Sequence, residues 1–310
     1  MTGRIVGAFV VLLLLPVIFK SCSLEDGRDE CCWQNTVFFR YEYEGKDCFQ
    51  EYIHTARWFL FDEDGDYVQE MERMSCCPQR VDISSLRPGE YTLICLGNLT
   101  DYGTLEGHTV SGLDSFRLQV GKRFDTKGTF ANGDRLYWGE CRFTVVAGGS
   151  NRFRGEMSHV HCVLRIRVEW ELVPEYSDGY RFTLDGVGVG MSLCGEGADA
   201  IGVHRFPPVT AFSGRMSERS ELRRFVLRSE LVSLRWDNDH IPGLQLWHED
   251  EPVCKAIDLQ DVFHRWNWHP ERTPVQEYSI RLLIRADGKV VVSQNLEAGV
   301  KDWADGGVIG

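Results

Sequence analysis

The residues best placed to do chemistry are cysteines. Ser21-Cys22 closes an uncharged apolar run, residues 5–19, which Arg4 precedes and Lys20 follows. Such a run behind a positive residue has the length of a secretory h-region, and it falls short of the about 20 residues that a bilayer-spanning helix needs. A small residue directly before a cysteine at the end of such a run is the bacterial lipobox arrangement. Cleavage there makes Cys22 the new N-terminus, and it carries acyl chains. Several chains on one residue hold a protein stably where a single chain is marginal. Residues 1–21 are thus expected to be a lipoprotein signal peptide, with an ordinary signal peptide cut elsewhere, or an uncleaved anchor, as the competing readings. Residues 22–33 follow as an acidic tether. Within it Glu25 and Asp26 are the candidate surface-export signal, and the plainer alternative is a solvated leash.

Ten other cysteines remain. An exported chain meets an oxidising compartment, so disulfides are expected, with Cys31, Cys32, Cys48, Cys76, Cys77 and Cys95 as candidates. Their pairing cannot be read from sequence. The vicinal pairs Cys31-Cys32 and Cys76-Cys77 could offer thiolates to zinc, but they lack the C-x₂-C spacing of structural zinc sites. Cys95 and Cys162 sit in strand-like alternation and fit buried thiols. The DEDGD stretch at 62–66 resembles part of a calcium loop, yet strand-like flanks make it a solvated hairpin turn. His159 and His161 share one strand face without a third ligand and are expected as a surface pair. His264 and His269 flank the Trp-rich stretch RWNWHP, where packing is the expected role. The hydrolase, zinc-protease, P-loop and dinucleotide fingerprints are missing. Carboxylate pairs are numerous among 46 acidic residues, and nothing selects one. No catalytic residue, no metal site and no cofactor beyond covalent lipid on Cys22 is expected.

The elements that must position these residues are strands. Period-two alternation recurs, as in HVHCVLRIRVEW, where Cys162, Leu164, Ile166, Val168 and Trp170 share one face. Asp64-Gly65 and Asp287-Gly288 stand between apolar alternations as hairpin turns, with Asp185-Gly186 a further candidate. Pro88-Gly89 feeds another strand. One helix stands out: Leu259, Val262, Phe263 and Trp266 follow helical spacing, and Asp258 is placed to cap it. Many short strands and frequent turns point to sandwiches. The linker-like stretch AGGSNRFRGE puts a domain boundary near 152, giving domains over 34–151 and 152–310. Net charge is −12, and losing the first 21 residues, which hold Arg4, Lys20 and no acid, takes it to −14. Phosphate neutralisation needs clustered cations, so no nucleic-acid partner is expected.

The order of features resembles a known family. RDECCW follows the lipobox, then TVFFRYEYEG, WFLFDEDG, LRPGEYTLICLGN, LYWGE, VLRIRVEW and AIDLQDVF. This is similar to the FimB-type fimbrial anchor lipoproteins of type V pili, over about residues 22 to 290. The resemblance implies a mainly β fold of two tandem transthyretin-like β-sandwich domains with a few short helices. It also implies a non-enzymatic outer-membrane lipoprotein, lipid-anchored and surface-exposed, that holds and ends a fimbrial shaft. The implied partner is a fimbrillin shaft subunit, joined by strand addition at an open sheet edge. The alternative is a surface glycan-binding lipoprotein, which would stack sugars on its aromatic residues.

Overall fold

The computed structural model describes residues 35–74, 77–99, 103–106, 112–120, 133–176, 178–194, 209–211, 214–219, 221–223 and 226–294. Strands dominate. An eight-stranded sheet runs in the order Tyr67–Met71, Ala56–Phe61, Gly89–Gly97, Tyr137–Val145, Asn151–His159, Asn35–Arg40, Cys77–Asp82 and Arg73–Met74. Its two marginal strands are neighbours in the chain, with only Glu72 between them. Backbone connectivity therefore forces the sheet to roll until its margins approach. Phe39 and Trp58 come from strands far apart in the strand order, yet their ring centroids lie 5.1 Å apart across the roll.

The runs WFLF and LICL are buried on both faces, which is why they lack polar alternation. Trp58, Leu60, Leu93 and Cys95 point into the roll. Phe59, Phe61, Ile94 and Leu96 point out of it into another core, with Phe116, Leu118, Met191 and Leu193. Those last four come from or adjoin a four-stranded sheet ordered Val209–Ala211, Gly190–Ser192, Arg117–Val120 and Gly103–Glu106. Segments from both halves of the chain thus build one small sheet. The stretch 147–156 is a turn followed by a strand, not a linker. Asn151–His159 pairs with both Tyr137–Val145 and Asn35–Arg40, so the first sheet ends at His159. His161 already pairs with Leu234 in the next sheet, which places the change of sheet at Val160 rather than near 152.

The second half is a sandwich. One sheet is ordered Glu221–Arg223, Val226–Leu234, His161–Trp170, Gln276–Ile284 and Val290–Gln294. The other is ordered Gly214–Arg219, Tyr180–Val187, Gly243–His248 and Glu251–Pro252, with Ile257–Asp258 also pairing to Gly243–His248. Cys162, Leu164, Ile166 and Val168 line its core on the expected face. The helix forms over Leu259–Arg265, with Leu259, Val262 and Phe263 buried. The Asp258 carboxylate accepts from the N–H groups of Gln260 and Asp261 at its start. The hairpins at Asp64-Gly65 and Asp287-Gly288 are present, each with glycine at positive φ. Asp185-Gly186 is no turn: it is a bulge inside Tyr180–Val187, where the register shifts and Gly186 takes φ 87°.

Candidate functional site

Cys22, Glu25, Asp26, Cys31, Cys32 and Cys76 lie outside the described residues. Cys48, Cys77 and Cys95 are free thiols, as are Cys141, Cys162, Cys194 and Cys254. Cys95 and Cys162 are fully buried, and burial pushes both thiols well above their usual range. The DEDGD loop is a hydrogen-bonded turn in which Asp62 Oδ1 accepts from the N–H groups of Asp64 and Asp66. No cluster of three or more metal-ligating side chains occurs among the described residues, and none of their helices is long and apolar enough to cross a membrane.

A sheet edge is where this molecule offers unpaired backbone. The first sheet brings its two margins together at Glu72, and the chain passes from one layer of the sandwich to the other between Gly214–Arg219 and Glu221–Arg223. Among the margins that remain in the described residues, Val290–Gln294 is longer than Val209–Ala211, Gly103–Glu106 and Glu251–Pro252. It pairs antiparallel with Gln276–Ile284, and among the described residues no strand pairs with its other side. The hairpin that places it is tight: Arg285 N–H donates to Lys289 O at 2.9 Å, and Gly288 N–H donates to Arg285 O at 2.9 Å. Glu171 braces the turn from outside, its carboxylate accepting from Ala286 N–H at 2.7 Å.

Side chains alternate along this margin. Val290 and Val292 pack on the sandwich core. Val291 and Ser293 lie on the opposite face, where Val291 stands across from Leu283. Beside the hairpin, Leu172 and Val173 are 62% and 70% exposed. Natural edges are usually blocked by lysine, proline, a bulge or an inward charge. The segment Val290–Gln294 holds none of these. Charges on the neighbouring strands are committed to one another: Arg281 and Arg167 both pair with Glu169. Although burial opposes it, those two guanidinium groups hold the Glu169 carboxyl below its ordinary range.

The other distinctive place is the change of sheet at Val160, and here the expectation of a surface histidine pair is overturned. His159 and His161 are 3% and 0% exposed, with ring centroids 3.5 Å apart. Their strand face is outward only within one sheet; at the junction it meets the other half of the molecule. His161 Nδ1 lies 2.8 Å from Leu136 O, so that nitrogen carries the proton. His161 Nε2 and His159 Nδ1 are buried without a hydrogen-bond partner. Tyr137 stands edge-on to both rings. Arg235, 6% exposed, donates to the carbonyls of His159 (3.1 Å), Pro274 (2.8 Å), Thr273 (2.8 Å) and Pro270 (3.4 Å). Burial pulls its guanidinium down to about 10, still protonated at neutral pH. Sequence reasoning passes over Arg235; the available signal is a lone cation inside the apolar run LVSLRW.

Comparison with solved structures shows the same fold in proteins of low identity. The fimbrial anchor protein Mfa2 from Porphyromonas gingivalis superposes with a TM-score of 0.57 at 14% identity, over 83% of this chain and 94% of that one. A candidate polysaccharide-binding protein from Bacteroides thetaiotaomicron gives 0.63 at 14% identity, over 84% and 98%. A candidate adhesin from Bacteroides ovatus gives 0.63 at 12% identity, over 84% and 92%. No curated protein matches the sequence. A family model does match, over residues 28–304, and by that match the chain belongs to the family of fimbrillin-A associated anchor proteins Mfa1 and Mfa2.

Proposed function

We propose that this chain is an outer-membrane lipoprotein, held by acyl chains on Cys22, that anchors and ends a fimbrial shaft. Its family gives it a fimbria-associated, structural role at the cell envelope. The finer reading is strand addition: an extended segment of a fimbrillin subunit lies along Val290–Gln294. The observation that carries it is that this margin is open among the described residues and lacks blocking residues. Main-chain hydrogen bonds would supply affinity, and the Val291–Leu283 face would select apolar side chains at alternate positions. A chain retained by lipid at its N-terminus keeps its leading segment, so growth stops there.

Lysines at Val291 and Ser293 test the joint, because both side chains stand off the core. The double substitution Val291→Lys/Ser293→Lys is expected to cut co-purification of fimbrillin from outer-membrane fractions at least about tenfold, since edge lysines oppose pairing. It should leave thermal unfolding within a few degrees of the parent, as surface changes do. Undiminished co-purification would refute the placement. Cys22→Ala tests the anchor: the protein and attached fimbriae are expected in the medium, and continued sedimentation with membranes would count against lipidation. Retention of a glycan by the purified chain, without any fimbrial partner, would favour the polysaccharide-binding alternative.

A further inference from the structure

We propose that the junction at Val160 is an acid-released latch, in which protonation of the His159–His161 pair opens the contact among segments 133–138, 157–163 and 231–236, while the four-stranded sheet shared by both halves stays paired. Val160 is the hinge residue by connectivity. Its N–H donates to Leu136 O on the first side, and its carbonyl accepts from Arg235 N–H on the second. The flanking imidazoles are both sealed, and they lie face to face at 3.5 Å with an interplanar angle of 33°. A proton on either ring would place a cation against the other ring, inside a site closed to solvent.

The charged surroundings sharpen this. From the segment leading into Tyr137–Val145 come Arg135 and Tyr137, and after Val226–Leu234 comes Arg235. Within His161–Trp170 the next titratable group is the buried thiol of Cys162. Tyr41 packs on Tyr137 from the far side. The nearby carboxylates are occupied: Glu230 bridges Arg135 and Arg165, and Glu277 pairs with Arg165. An imidazolium would therefore meet two guanidinium groups and no uncommitted acid. Burial first, then the neighbouring charges, holds both rings neutral; His161 is pushed down to about 3. A water-exposed imidazole titrates near 6.5. The open state thus binds protons that the closed state refuses, so closure is fully favoured above about pH 6.5 and weakens as pH falls toward 3. His161 reaching water on opening favours the open state about 30-fold at pH 5.0, and His159, also held neutral by burial, adds to this in the same direction.

Hydrogen–deuterium exchange of the full chain at about pH 7.5 and 5.0, corrected for intrinsic rates, reads this directly. Exchange over 133–138, 157–163 and 231–236 is expected to rise at least about 30-fold, with 278–284 changing less than about twofold. The His159→Leu/His161→Gln variant, whose amide still reaches Leu136 O, should show no such rise. Three results would overturn the latch: a flat response in the parent chain, an equal rise in the variant, or an equal rise over 278–284. If the variant does not fold, histidine ring NMR on the parent chain decides. Rings that stay neutral to below about pH 5 support the latch, and two rings titrating near 6.5 refute it.

Discussion

Replacing Arg235 with methionine is expected to destabilise the protein by about 4 kcal/mol, the cost of breaking a buried charged network from one side. The direction is not obvious, because a buried cation is expensive to desolvate and its removal can be neutral. It is neutral when the partners are removed as well. Here the partners are the main-chain carbonyls of His159, Pro270, Thr273 and Pro274, which no side-chain substitution takes away. Methionine fills a similar volume but takes the donor away from the carbonyls of His159, Thr273 and Pro274, while Pro270 O keeps the Gln276 amide and the Thr273 N–H. Neighbouring contacts share the load: Gln276, fully buried, accepts from Trp236 N–H and donates to the carbonyls of Trp236 and Pro270. Arg235→Lys should cost about half as much, since an ammonium cannot present a planar fork to carbonyls on two sides. Calorimetry would show a melting point roughly 10 °C lower for the methionine variant, at about 2–4 °C per kcal/mol for a unit of this size. A loss below about 1 kcal/mol would mean that water already reaches those carbonyls.

Arg235 also shows where sequence stops being informative. Local signals are legible. Asp258 sits one residue before a helical run and caps it; Asp287-Gly288 sits between alternations and turns them. The face of Cys162, Leu164, Ile166 and Val168 is legible because period two is a property of a single strand. What escapes is whatever depends on which strands meet. The opposite face of that strand holds Arg165 and Arg167 in ion pairs, yet His161 at its start is buried by residues distant in sequence. The open margin at Val290–Gln294 escapes for the same reason. Its three valines read as an ordinary hairpin arm, and only strand order marks them as the end of a sheet. The expected lipid-bearing tether, residues 22–33, lies outside the described residues.

Gly155 belongs to the stretch whose glycines read as a linker, and its actual role leads to the other large expected effect. It faces Phe39 across parallel strands, and a Cβ there would come within 2.4 Å of the Phe39 ring. Gly139 lies beneath the same ring, where a Cβ would stand 3.0 Å from Phe39 and 2.7 Å from the Met157 sulfur. Two glycines on adjacent strands thus form a floor for one fully buried phenyl group, which Trp58 covers from across the roll. The ring has nowhere to retreat, so Gly155→Ala is expected to cost about 3 kcal/mol, the upper end for overpacking a core. Phe39→Leu alone should cost roughly 1–2 kcal/mol through lost packing. Combined, the two should destabilise by about 2 kcal/mol less than their sum, because the smaller side chain vacates the space that the new methyl needs. Urea unfolding of the parent, both single variants and the double variant measures this coupling. Additivity within about 0.5 kcal/mol would show that the ring moves aside freely and that the glycine floor is not what sets the closeness of these strands.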